Sequence, residues 1–133
     1  MKKLLGLAAL TAAAVMLTAC SGGGAEDTSG AARVVEKYLQ AVVMGDVNGI
    51  ANLVCAAWEA DAQIEAEAFL SVEATLEGVT CEVTGIDGAN TVVACQGNIV
   101  ATYDNENQNI SVANRPYLAA QEGGEWRMCG YKP

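Results

Sequence analysis

The sequence predicts an α+β fold, with about three N-terminal helices packed on a bent four-stranded antiparallel sheet. Three observations predict it. Ile50, Leu53, Val54, Ala57 and Trp58 recur at i, i+3, i+4, i+7 and i+8, the spacing of one helical face. After Gly78 the period falls to two, with Val79, Cys81 and Val83 alternating with Thr80, Glu82 and Thr84. The later apolar stretches are joined by connections of hairpin length, and helices followed by such strands give an antiparallel sheet. A chain of 133 residues has room for one such domain.

Each element has a local reason. Thr28 or Ser29 is suited to cap the first helix, whose stripe is Val35, Leu39, Val42 and Val43 with Val34 and Tyr38 beside it. Gly45 ends it, and Asp46 opens a second helix running through Trp58. A third helix is expected over 65–77, burying Phe69, Val72 and Leu76 and stopping at Gly78. Strands are expected over 79–86 and 91–103, with residues 87–90 as the turn, and Gly97 marks a bulge or bend in the second. After a polar turn over 104–108, a third strand covers 110–120, with a bulge or exposed edge at Pro116. A Gly-rich turn over 122–125 leads to a final strand over 126–131.

Residues 1–19 do not belong to this pattern. Lys2 and Lys3 precede an almost wholly apolar run over 4–17, too short to span a bilayer at about 20 residues, and small residues follow. This is the layout of a secretory signal peptide. Leu17-Thr18-Ala19-Cys20 resembles the lipobox of bacterial lipoproteins. The resemblance implies cleavage before Cys20, a diacylglycerol on its thiol and usually an acylated new amine. Two or more acyl chains anchor a protein stably, where one does so only marginally. The expected organisation is a signal peptide over 1–19, a lipidated cysteine and flexible Gly-rich tether over 20–29, and the domain over 30–133. The expected address is the cell envelope, on the extracytoplasmic side, with a membrane as partner through the lipid. By the same resemblance, Ser21 after the cysteine permits outer-membrane sorting.

Loss of Lys2 and Lys3 leaves five cationic side chains against 16 acidic ones, a net charge of −11. Such a surface excludes nucleic acid as a partner, because that binding rests on Lys and Arg at phosphates. It also offers no basic face to anionic lipid. With Cys20 reserved for lipid, four cysteines remain, and in an oxidising compartment they form disulfides. Three connectivities exist. Centring the hairpin turn near Gly88 sets Cys81 opposite Cys95, within bridging distance, which leaves Cys55 to Cys129. With no CxxC and no histidine, neither a metal site nor a redox pair is expected.

Particular stretches resemble the nuclear transport factor 2-like, or cystatin-like, cone. They are Val34-Val35-Glu36-Lys37-Tyr38-Leu39-Gln40-Ala41, Met44-Gly45-Asp46 and Gly124-Glu125-Trp126-Arg127-Met128-Cys129-Gly130-Tyr131. Cys55-Ala56-Ala57-Trp58-Glu59 with the terminal Cys129-Gly130-Tyr131 resembles one subgroup of small bacterial lipoproteins with that fold. The resemblance implies a cone cavity that, in enzymes of the superfamily, holds an Asp, His or Tyr. Here histidine is absent, and no nucleophile-elbow, phosphate-loop or zinc-protease motif occurs. Tyr38, Tyr103 and Tyr117 with Asp61 and Arg115 are the available chemical groups, but the sequence pattern puts no carboxylate inside. No catalytic residue, metal or cofactor is therefore assigned. Tyr38, Trp58, Tyr103, Tyr117 and Trp126 are the expected cone lining. The expected function is non-catalytic binding of a small apolar ligand or an envelope protein. The alternatives are an isomerase or dehydratase of the same fold, and a structural subunit of an envelope complex.

Overall fold

The computed structural model describes residues 28–133. Helix α1 (Ser29–Val43) buries Ala31, Val34, Val35, Tyr38, Leu39, Ala41, Val42 and Val43, a broad apolar face with Arg33, Lys37 and Gln40 left outside. Its end is closed by the backbone. The Gly45 amide donates to the Val42 carbonyl and the Asp46 amide to the Ala41 carbonyl, with Gly45 at φ +65°. That paired closure needs a residue in the left-handed region, which glycine supplies without a side-chain clash.

The expectation of three helices on four strands is corrected here: the described residues hold two α-helices and five strands. The helix expected over 46–58 is replaced by two single 3₁₀ turns, Ile50–Leu53 and Ala56–Trp58, around an extended Val54 and Cys55. The physical reason is a competing partner. Val54 forms a parallel bridge with Met128, and the Cys55 amide donates to the Met128 carbonyl at 2.9 Å. The amphipathic spacing still buries Ile50 and Val54, but the backbone has joined the sheet rather than closing a helix.

Helix α2 (Glu59–Glu67) starts earlier than expected and stops short of Phe69. Strand β1 (Glu73–Asp87) then begins inside the stretch expected to be helix. Ala74 and Leu76 alternate with exposed Glu73, Thr75 and Glu77, so a period of two was already present there, and this segment pairs with residues 98–102 of β2 (Asn90–Tyr103). Gly78 is therefore not a helix stop. It lies at a bulge, where Gly78 and Val79 together face Gly97 between the pairs Glu77↔Asn98 and Thr80↔Gln96. A Cβ on Gly97, at φ +108°, would lie 2.6 Å from the Gly78 carbonyl oxygen, so this crossing requires glycine.

The strand expected over 110–120 is two strands, β3 (Glu106–Ser111) and β4 (Tyr117–Glu122). Both lie along the same side of β2: β3 pairs with residues 98–103 and β4 with residues 91–93. Residues 112–116 cross the interval between them. The Val112 amide donates to the Gly97 carbonyl, and Pro116 has no amide to give a ladder. Strand β5 (Glu125–Tyr131) completes the antiparallel sheet beyond β4. Helix α1 lies on its inner face, over a core that includes Tyr38, Val93, Cys95, Ala119 and Met128.

Cys81 and Cys95 are direct register partners and are disulfide-bonded, and Cys55 is bonded to Cys129. Disulfides persist in oxidising compartments, which places this domain outside the cytoplasm. Among the described residues no helix is long and apolar enough to cross a membrane. Cys20, expected to carry the lipid, lies outside the described residues.

Candidate functional site

A cleft of about 320 Å³ opens where the sheet is interrupted. Leu39 and Val42 of α1 form one wall, and Glu65, Ala68 and Phe69 at the end of α2 form a second. Ile99, Ile110 and the 111–117 crossing form the third, with Tyr117 and Tyr131 at the base. The site exists because α2 ends at Glu67 and because β3 and β4 are separate strands. A continuous strand over 110–120 would fill the interval that residues 112–116 leave, and a longer helix after Glu65 would displace Phe69.

Glu65 organises the polar part of the cleft. Its Oε2 accepts the Tyr38 hydroxyl at 2.6 Å and the Tyr131 hydroxyl at 2.8 Å. Two donors occupy both lone pairs of that oxygen. Oε1 makes no hydrogen bond to any described residue and is the acceptor left to the cleft. The three groups come from α1, α2 and β5, so this junction ties three elements at one atom.

Aromatic rings support it. Tyr117 and Tyr131 lie 5.2 Å apart, Trp58 meets Tyr131 edge-on at 5.7 Å, and the Arg115 guanidinium sits 4.1 Å from the centre of the Tyr131 ring. Tyr117 donates its hydroxyl to the Val112 carbonyl at 3.2 Å, fixing the 112–116 crossing to the base of the site. Trp58 also covers Gly130, where a Cβ would approach its ring to 3.1 Å. The Trp58 indole N–H bears on the Tyr38 hydroxyl but does not reach hydrogen-bond geometry, and it is a buried donor without a partner.

Burial of the hydroxyls is the main reason that all three tyrosines resist ionisation. Tyr38 is held well above the ordinary tyrosine value by desolvation, then by its hydrogen bond to Glu65 and that carboxylate's charge. Tyr131 is raised by desolvation, then by Tyr38 and Glu65. Tyr117 is pushed up to about 12 by desolvation and the Glu65 charge, with Arg115 opposing. These hydroxyls are donors at neutral pH and cannot serve as phenolate bases.

Of the five aromatic residues expected to line a cavity, Tyr117 lines this cleft, while Tyr38 and Trp58 stand behind it, against Glu65 and Tyr131 respectively. Tyr103 and Trp126 lie elsewhere. Tyr103 ends β2 and is 42% exposed, while Trp126 packs near Gly30 at the other end of α1. Asp61 is exposed in the first turn of α2, and the carboxylate inside is Glu65, one turn later. Glu65 and Tyr131 were the residues sequence reasoning missed. A signal existed for Glu65, since it lies between Ala62 and Ala66, two small residues that are wholly buried. No such signal exists for Tyr131, because the end of a short strand does not reveal what it faces.

One other group gathers potential ligand atoms. Cys55, Cys129 and Glu122 lie within 4.8 Å of one another. The two sulfurs are bonded to each other, so neither is a thiolate ligand, and Glu122 accepts the Ala56 amide. That cluster is a structural junction rather than a metal centre. No protein-family model and no curated protein matches the chain.

Proposed function

We propose that this protein is a lipid-anchored, extracytoplasmic binding domain that holds a small, largely apolar ligand in the Glu65 cleft. The observation that carries the reading is the cleft itself. Its volume lies at the lower end of the roughly 300–1,000 Å³ usual for ligand pockets, its walls are mostly apolar, and a few polar groups converge at its base. The polar groups are arranged to hold still. Three protonated tyrosines, one carboxylate oxygen saturated by two of them, and a disulfide close behind make a fixed frame, not a proton relay.

Binding of the neutral apolar reporter N-phenyl-1-naphthylamine tests this directly. One site per chain is expected, and it should be lost in Ala68→Trp, which fills the cleft from an exposed position. Reporter binding that survives Ala68→Trp unchanged would refute the assignment. The lipid anchor is supported by the lipobox resemblance at Cys20 and by the disulfides, and is tested by incorporation of a fatty-acid probe. A Cys20→Ala protein that stays on the membrane would count against it.

A second reading is favoured by one observation, the unpartnered Oε1 of Glu65. A carboxylate oxygen in an apolar cleft could abstract a proton beside a substrate carbonyl, as an isomerase or dehydratase requires. Solvent deuterium exchange into small ketones, catalysed by the protein and lost in Glu65→Gln, would establish it over the binding reading.

A further inference from the structure

The ligand's polar end can be read from what the cleft leaves unsatisfied. This inference rests on the binding reading above. The chain has three arginines, all described. Arg33 donates to Ser29, and Arg127 donates to Glu125 in an ion pair. Arg115 alone makes neither a hydrogen bond nor an ion pair among the described residues, although acidic side chains outnumber basic ones more than twofold. Its guanidinium lies instead on the Tyr131 ring, at the wall of the cleft. Stacking on a ring fixes the plane of a guanidinium and leaves its N–H fork open, the arrangement suited to a carboxylate.

Glu65 supplies the complementary half. Oε2 is consumed by the two tyrosines, while Oε1 still accepts. Arg115 and Glu65 both line the cleft without forming an ion pair with each other. A ligand can therefore engage both only by presenting an anionic oxygen to one and a hydrogen-bond donor to the other. Leu39, Val42, Phe69, Ile99 and Val112 make an apolar wall, and Ser111 and Asn114 are the neutral polar residues that also border the cleft.

We propose that the cleft takes a medium-chain hydroxy carboxylic acid, with its carboxylate on Arg115, its hydroxyl donating to Glu65 and its alkyl chain on the apolar wall. The source of such an acid, free in the envelope or released from lipid, does not change the chemistry that recognises it.

Isothermal titration calorimetry with 3-hydroxydecanoate, decanoate and methyl decanoate tests the assignment. Affinity should fall by about tenfold from the first to the second, and again by about tenfold to the third, as one hydrogen bond to a charged group is lost at each step. Arg115→Gln should abolish the second step and leave methyl decanoate unchanged. Glu65→Gln should shrink the first to a few-fold, because a neutral amide donating to the hydroxyl replaces the stronger bond the hydroxyl gives to a carboxylate. The tyrosines need an acceptor, so the amide carbonyl must take the place of Oε2 and its NH₂ group must face the ligand hydroxyl. If methyl decanoate binds as tightly as decanoate and Arg115→Gln is without effect, the head-group assignment is overturned while the cleft remains an apolar binding site. If none of the three binds while N-phenyl-1-naphthylamine does, this inference falls and the cleft remains an apolar binding site; if the reporter fails as well, the reading beneath it falls too.

Discussion

The two disulfides sit in regions held together in opposite ways. Cys81–Cys95 crosses the β1–β2 hairpin, where backbone pairing already runs from Asp87↔Asn90 to Glu73↔Thr102. Cys55–Cys129 ties the irregular 3₁₀ segment to β5, where the backbone offers one bridge, Val54↔Met128, and the Cys55 amide bond. One cross-link reinforces a register that exists without it, while the other creates the proximity on which the site depends. Cys129 is two residues from Tyr131, and Cys55 is three from Trp58, whose ring lies against Tyr131. The hairpin is a scaffold, and the cleft is an assembly of segments that have little reason to meet otherwise.

Removing each bridge separately is the strongest way to break this comparison. Cys55–Cys129 closes a separation of 74 residues and Cys81–Cys95 one of 14. Chain entropy then assigns about 4.5 kcal/mol to the first and about 3 kcal/mol to the second. Urea unfolding of the two paired Cys→Ala variants should show the larger loss for Cys55/Cys129, and reporter binding should be lost with it alone. Equal losses, or the reverse order, would contradict the distinction.

Gly97→Ala probes the scaffold without touching a sulfur. A methyl 2.6 Å from the Gly78 carbonyl oxygen, on a residue at φ +108°, forces the bulge to move, at about 2–4 kcal/mol. Thermal unfolding checks it, and a neutral result would mean that the bulge can relax. Tyr131→Phe probes the other region more gently. It removes one donor from Glu65 Oε2 and should cost about 1–3 kcal/mol by urea unfolding, with Cys81–Cys95 undisturbed.

The smallest effect is in alkaline pH. Tyr38, Tyr117 and Tyr131 hold their protons more tightly folded than unfolded, where tyrosine ionises near pH 10. A raised folded value means that this contribution to stability is intact below about pH 10 and is lost as pH rises through about 12 for Tyr117 and higher for the others. Phenolate absorbance from these three should appear with unfolding, not before it.

The same contrast explains what was legible in the sequence. The hairpin could be read because its information is local. The turn over 87–90, the alternation around Cys81 and the glycine at 97 act on near neighbours, and they fixed the Cys81–Cys95 register. The cleft side was misread because its decisive contacts are distant. Val54 carries a helical spacing, but its bridge and the neighbouring Cys55 amide go to Met128, 74 residues from Val54. Leu76 fitted a helical stripe with Phe69 and Val72, yet its pairing with Ile99 makes it strand. Pro116 was read as interrupting one strand, when the whole of 112–116 leaves the ladder and shapes a site wall. Ala62 and Ala66 mark the helix face beside Glu65 as inward, but the two tyrosines that justify a carboxylate there lie 27 and 66 residues away.

The most direct test of the Glu65 cleft as the working part of this protein is backbone amide shift mapping by NMR during titration with N-phenyl-1-naphthylamine. The expected result is saturable shifts at Leu39, Val42, Phe69, Ile99, Val112, Tyr117 and Tyr131, with the β1–β2 turn silent. Saturable shifts confined to the outer hairpin around Thr80 and Gln96, or to the neighbourhood of Trp126, with the cleft silent, would contradict it.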